Sequence, residues 1–223
     1  MRDQPDWLRN RLLLALPSPD LKRLLSRLEQ IPSEREQVLL DADAALDHVF
    51  FPDSGVVSVV AVYDDGSIIE MATIGREGCT GFQAAFGNKS SSVRFLVQIP
   101  GRVTKMSRSD FISALKSMPA FRKLVLAYVQ AFLEQVLVSG ACNGAHSVKE
   151  RLARWLLMMR DRDDNDALRI TQGLLAEMWV STGQPFRMPP GNWNVKVRLR
   201  AAERKSQSLI GSASSRRPAN AIG

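Results

Sequence analysis

The spacing of apolar side chains changes twice along this chain, and each change marks a new kind of element. Leu12, Leu13 and Leu16 precede Pro17, and Ser18-Pro19-Asp20 opens a second amphipathic stretch through Leu21, Leu24, Leu25 and Leu28. That spacing predicts two helices, the second ending near Ile31-Pro32. From about Arg35 to Ser107 the pattern becomes short β-branched and aromatic runs: EQVLL, DHVFF, VVSVVAVY, SIIEMATI, SVRFLVQI and RVTKMS. Pro52-Asp53-Ser54-Gly55, Asp64-Asp65-Gly66 and Pro100-Gly101 punctuate them as turns. VVSVVAVY-DDG-SIIEMATI is a hairpin, because Asp-Gly supplies the positive φ that a tight turn requires. Many short, evenly spaced strands predict a jelly-roll barrel, so the fold class is α+β.

Helical spacing returns after Ser107. Ser109-Asp110 caps a short helix from Phe111, and Pro119 starts a long one, FRKLVLAYVQAFLEQVLVSGACNGA. Between Lys123 and Lys149 its only charge is Glu134. Leu126, Val129, Leu133, Val136 and Gly140 fall on one side, and Phe121, Val125, Tyr128 and Phe132 on another. A helix apolar on both sides is buried on both sides. The expectation is one face against the barrel and one against a second copy of the chain; an interior helix of a monomer is the alternative. The run is too interrupted for a membrane span. Ser147-Val148-Lys149-Glu150 is a capping box. It opens a helix with Val148, Leu152, Trp155, Leu156 and Met159 on one face and Lys149, Arg151, Arg154 and Arg160 on the other. After a polar loop, Leu168-Arg169-Ile170 forms a short strand, and Thr171 caps a helix from Gln172.

The net charge of +7 changes the picture only through its distribution. Residues 1–145 carry 16 basic and 16 acidic side chains, residues 146–178 carry 6 and 6, and residues 179–223 carry 8 and 1. The basic excess therefore lies wholly after Met178. Only Cys79 and Cys142 are present, which excludes a disulfide scaffold and a four-cysteine iron–sulfur site within one chain; both are expected as core residues. No leader or long uncharged run is apparent, which points to a cytoplasmic protein without a membrane. His48 and His146 are the only histidines, too few for the clustered ligands of a jelly-roll metalloenzyme. No nucleophilic or phosphate-loop constellation appears, so no enzyme, metal or cofactor is expected.

This order of parts resembles the CRP/FNR family of bacterial transcription regulators. The likeness spans roughly residues 10–178 and is carried by GREGCTG (75–81), VQIPGRVTKM (97–106), HSVKERLARWLLMMRDR (146–162) and LRITQGLLAEM (168–178). It implies a homodimer with an effector-sensing jelly-roll in residues 1–118, a dimerisation helix over 119–145, and a DNA-reading winged helix-turn-helix starting at 146. It places an effector pocket near Gly75, Glu77, Gly78, Gly81 and Arg94. It places DNA phosphate contacts at Thr171 and Gln172, with Lys149, Arg151 and Arg154 either adding to them or forming a solvated face. Two features depart from the family. Its cyclic-AMP binders carry a Gly-Glu pair followed by Arg-Ser or Arg-Ala, whereas GFQAAFGNKSSSVRF has neither, so cyclic AMP is not the expected effector. The N-terminal cysteine cluster of the oxygen-sensing branch is also missing.

The family likeness stops at Met178. There the family continues with Leu-Gly-Val, a turn and a recognition helix; this chain continues WVSTGQPFRMPPGNWN, whose Pro-Pro-Gly cannot be helical. Reading each codon's third base with the next codon's first two changes this. Trp179-Val180 then forces Gly, Met188-Pro189 forces Ala, Asn192-Trp193 forces Leu and Trp193-Asn194 forces Glu. The remaining positions permit G-V-H-R-P-T-V-S-N-A-A-G-K-L-E, a recognition helix of the expected type. A one-base deletion after the Met178 codon would make residues 178 and earlier in frame and residues 179–223 an aberrant basic tail without fixed structure; a genuine, divergent basic tail is the alternative. The sequence thus predicts a regulator by lineage with impaired operator binding. The alternative is a dimeric small-molecule sensor that acts without specific DNA binding.

Overall fold

The computed structural model describes residues 5–64, 66–162, 167–171 and 192–196. Two short helices, α1 (Arg11–Leu14) and α2 (Ser18–Leu25), lead into five antiparallel strands: β1 (Glu29–Ser33), β2 (Val38–Leu40), β3 (His48–Val62), β4 (Ile68–Ile74) and β5 (Arg94–Ser107). The sheet order is β1-β5-β3-β4, with β2 also paired to β5. Three further helices follow: α3 (Arg108–Ser117), α4 (Pro119–Ala145) and α5 (Val148–Arg162).

The hairpin β3–β4 forms as its sequence predicts, with Val62 paired to Ile68, the Gly66 amide donating to the Tyr63 carbonyl and Gly66 at φ 81°. Three expectations are corrected. First, residues 29–33 form a strand, where helical spacing had carried α2 to Ile31-Pro32. Pro32 is tolerated because β1 is an edge strand, paired only with β5. Second, Pro52–Gly55 and Pro100-Gly101 are not turns. Each is a bulged bend inside one long strand, so β3 runs for 15 residues and β5 for 14, paired from His48↔Ser107 to Val60↔Arg94. A β-carbon on Gly55 would overlap the Ile99 carbonyl, and one on Gly101 would overlap the Ser54 carbonyl. The two bends therefore press backbone on backbone, which only glycine permits. Third, the cap of α3 is Ser107, whose hydroxyl accepts from the Asp110 amide, two residues before the expected Ser109.

The inward face of the roll carries Val49, Phe51, Val57, Val59, Phe95 and Met106, all buried. It packs on Phe111 of α3 and Phe121 of α4, whose rings meet edge to face at 5.5 Å. The N-terminal helices are fixed by a buried polar hub. Asp53 accepts from the amides of Arg9 and Asn10, from Gln30 Nε2 and from Thr104 Oγ1 at 2.6–3.0 Å. Asn10 Nδ2 donates to the carbonyls of Pro52 and Gly78 while its Oδ1 caps α1.

Helix α4 has the length and apolar composition of a membrane-crossing helix. It buries Phe121, Val125 and Tyr128 on one side and leaves Leu126, Leu133, Leu137 and Val138 43–63% exposed on the other. Beyond α5, β6 (Ala167–Thr171) pairs antiparallel with β7 (Asn192–Lys196). β6 contains the predicted strand. β7 differs from expectation, because the sequence places it in a tail without fixed structure. NWNVK alternates Trp and Val with polar residues, and an extended run of that kind can add to an open strand edge whatever its origin.

Candidate functional site

A cavity of about 330 Å³ lies between the roll and α4. Val59 of β3 and Met71 of β4 form its floor, and Val129, Phe132, Leu133 and Val136 of α4 form its wall. The remaining side comes from the segment between β4 and β5. There Phe82 and Gln83 belong to a 3-10 turn (Phe82–Phe86) and Ser92 and Val93 precede β5. Gly81 enters that turn at φ 69° and Gly87 leaves it at φ 87°, conformations that glycine adopts without strain. Eight of the ten lining side chains are apolar and none is charged.

The five residues expected to form an effector pocket do not line this cavity. Arg94 instead grips Asp41, Nε to Oδ1 at 2.6 Å and Nη2 to Oδ2 at 3.2 Å. Those hydrogen bonds from Arg94 hold the Asp41 carboxyl below its usual range. Gly75, Glu77 and Gly78 belong to a junction where α1, α4 and α5 meet the roll, while Gly81 enters the 3-10 turn with its backbone against the His48 carbonyl of β3. Gly78 lies flat against Tyr128, and a β-carbon there would overlap the ring. Tyr128 donates to the Cys79 carbonyl at 2.9 Å, and burial pushes its phenol well above the ordinary value. Burial likewise raises the Cys79 thiol, which is wholly enclosed. Gly78→Ala meets no φ barrier, since Gly78 is not in the left-handed region. Its cost is therefore steric, and overpacking against Tyr128 is expected to lower the unfolding free energy by about 2–3 kcal/mol, as read from urea denaturation.

Glu77 faces α5. Its Oε1 accepts from Arg162 Nε at 2.7 Å, and Arg162 Nη2 also donates to Gln135 Oε1 at 2.6 Å. Trp155, buried on the same helix, donates Nε1–H to Glu70 Oε1 at 3.0 Å. Arg154 donates to Ser139 Oγ on α4. The predicted capping box is formed, with Ser147 Oγ donating to Glu150 Oε2 at 2.7 Å and the Ser147 amide donating at 2.8 Å. Those bonds hold the Glu150 carboxyl below its usual range. Helix α5 is thus held by four residue pairs, two to Glu70 and Glu77 of the roll and two to Gln135 and Ser139 of α4.

Residues 31–118 match the cyclic nucleotide-binding domain family. The match covers β2 to α3 and so includes the cavity segment. Solved structures share the wider architecture. The c-di-GMP-responsive global regulator CLP of Xanthomonas campestris is 13% identical, with TM-score 0.61 over 74% of this chain and 88% of that one. A CRP/FNR-family transcriptional regulator from Eubacterium rectale is 14% identical, with TM-score 0.60 over 77% and 83%. FixK2 from Bradyrhizobium japonicum is 16% identical, with TM-score 0.58 over 68% and 76%. At these identities the likeness is one of fold: a cyclic nucleotide-binding roll followed by a long helix, as in CRP/FNR regulators. Comparison with curated protein sequences finds no match.

Val129 and Val136 of the expected dimer stripe are half-buried and line the cavity, Leu133 lines its edge while exposed, and Leu126 and Gly140 are exposed away from it. The stripe therefore mixes two faces. Of the expected phosphate contacts, Lys149 is exposed, Arg151 is half-buried and Arg154 is turned onto α4. Thr171 ends β6, and Gln172 lies outside the described residues. Sequence reasoning missed Phe82, Gln83, Ser92 and Val93 as pocket residues. The signal was available in the departure itself, since these residues occupy the segment where Gly-Glu and Arg-Ser were sought.

Proposed function

We propose that this chain is the sensing and dimerising part of a CRP/FNR-type transcription regulator: a cytoplasmic, non-enzymatic homodimer that responds to a small-molecule effector. Its DNA-reading unit is interrupted by a frame change after Met178. The observation that carries this reading is the position of the cavity. It opens between the roll and α4, and its wall continues into an exposed apolar face on the same helix. On that face Leu126, Gln130, Leu133, Leu137, Gly140 and Gly144 recur at alternating four- and three-residue spacing, the pattern of a two-helix seam.

The clamp on α5 supports a route from effector to DNA-binding unit. Glu70 and Gln135 hold Trp155 and Arg162, and their chain neighbours Met71 and Val136 line the cavity. A ligand that displaces either wall shifts an anchor of α5 directly. The absence of charge from the lining supports an effector other than cyclic AMP. The second reading, a dimeric sensor without specific DNA binding, is favoured by Arg154, which faces α4 rather than solvent. Gel shifts at rising salt on the existing chain test the pair. Operator preference supports retained reading of DNA, whereas weak binding that is uniform among sequences and collapses between 50 and 200 mM salt supports the sensor alone. A monomer by sedimentation sinks both.

A further inference from the structure

We propose that the cavity takes a neutral, largely apolar small molecule that donates one hydrogen bond, to Oε1 of Gln83. The proposal rests on the sensor reading above and names the class of effector.

Charge excludes the first alternative. An anion in this cavity would lose its hydration and meet no cation, because the lining has none and Arg94 is held by Asp41. Burying an unpaired charge in that way is strongly unfavourable, which removes phosphates and carboxylates. Size sets the second bound. An apolar cavity of about 150 Å³ holds benzene, so about 330 Å³ suits roughly ten to fifteen non-hydrogen atoms. The tilted rings of Phe82 and Phe132, 4.9 Å apart, offer edges and faces to an aromatic ligand.

Gln83 supplies the polar requirement. The Ser91 hydroxyl donates its proton to the Val93 carbonyl at 2.9 Å, so towards Gln83 it acts as acceptor. It receives Gln83 Nε2–H at 3.3 Å, and this fixes which way the amide is turned. The amide's Oε1 is then left buried without a hydrogen-bond partner. A buried acceptor left unpaired is costly. That oxygen has almost no accessible surface in the empty cavity, so a ligand O–H or N–H would satisfy it through a small turn of the Gln83 side chain, which lines the cavity.

The test is calorimetric titration of the full chain at pH 7 with 1-naphthol, its methyl ether 1-methoxynaphthalene, and cyclic AMP, with sedimentation of the same sample. The expected result is saturable 1-naphthol binding, about tenfold weaker binding of the ether, and none of cyclic AMP. Gln83→Leu should erase the preference for naphthol over the ether, and Val136→Phe, which fills the cavity, should abolish both. Cyclic AMP binding that naphthol displaces overturns the proposal. So does a dimeric sample that ignores naphthol, or naphthol binding indifferent to both substitutions. A monomeric sample that still discriminates naphthol from its ether upholds the ligand class and removes the dimeric sensor instead.

Discussion

Reinserting one cytosine ahead of the Trp179 codon is expected to change DNA binding from sequence-indifferent to operator-selective, by on the order of 10³-fold or more between matched and random duplexes. ATG-TGG-GT becomes ATG-CTG-GGT, so Trp179-Val180 is replaced by Leu-Gly, and the downstream frame permits V-H-R-P-T-V-S-N-A-A-G-K-L-E. Four positions of that frame are forced by the protein sequence alone, through Trp179, Met188, Asn192 and Trp193. Val, Ala and Leu in the restored string recur at three- and four-residue spacing, as a helix packed by one face requires. A recognition helix contributes side chains to base edges, each bidentate pair worth about 1–3 kcal/mol of discrimination. Without it only phosphate contacts remain, and these carry no sequence information. Selection from a random duplex pool reads the difference. The existing chain should enrich no motif; the restored chain should enrich a two-fold symmetric one. The same base placed after the Asn194 codon leaves the helix out of frame and should change nothing. A restored chain that binds all duplexes alike would sink the frame-change reading, as would coding DNA that does not yield the helix.

The pattern of apolar positions made most of the fold legible before any coordinates. The β3–β4 hairpin, the long α4 and the capped α5 follow from Asp-Gly chemistry, helical spacing and the Ser147–Glu150 box. What it hid was long-range. Pro52–Gly55 and Pro100-Gly101 look like turns by composition, yet two strands crossing at close quarters need glycine just as a turn does. Composition cannot separate those cases, because both demand a missing β-carbon. The packing role of the GREG motif was hidden in the same way. It suggests a ligand site, but Gly75 and Gly78 make room for Arg162 and Tyr128, and Glu77 pairs with Arg162. The stripe on α4 spans two environments because a helix that is apolar on two sides offers two faces at the same 3–4 spacing. Only packing shows that Val129 and Val136 turn to the cavity, that Leu133 borders both the cavity and the exposed face, and that Leu126 and Leu137 lie on the exposed face alone.

That division decides how the proposed dimer can be broken without touching the sensor. Leu137 is 63% exposed, lies on the 4-3-4 seam and is absent from the cavity wall, unlike Leu133. In a symmetric pair every seam residue counts twice, so Leu137→Glu removes two leucines from the interface and brings two carboxylates towards each other. Burying a leucine contributes about 1.5–3 kcal/mol. Unpaired carboxylates at the same place add desolvation and repulsion. The combined loss is expected to weaken self-association by roughly a thousandfold, about 4 kcal/mol. Sedimentation at micromolar concentration should then fall from twice the chain mass of 24.8 kDa to that mass itself. Naphthol binding should persist, since no cavity residue is altered. Leu126→Glu, one heptad and a half further towards the α4 N-terminus, should act in the same direction. Urea unfolding of the Leu137→Glu chain should show the roll intact at matched concentration of monomer, which separates dissociation from misfolding. If the substituted chain still sediments at the doubled mass, the exposed face of α4 is not the seam, and the cavity's Leu133 edge faces solvent in the working protein.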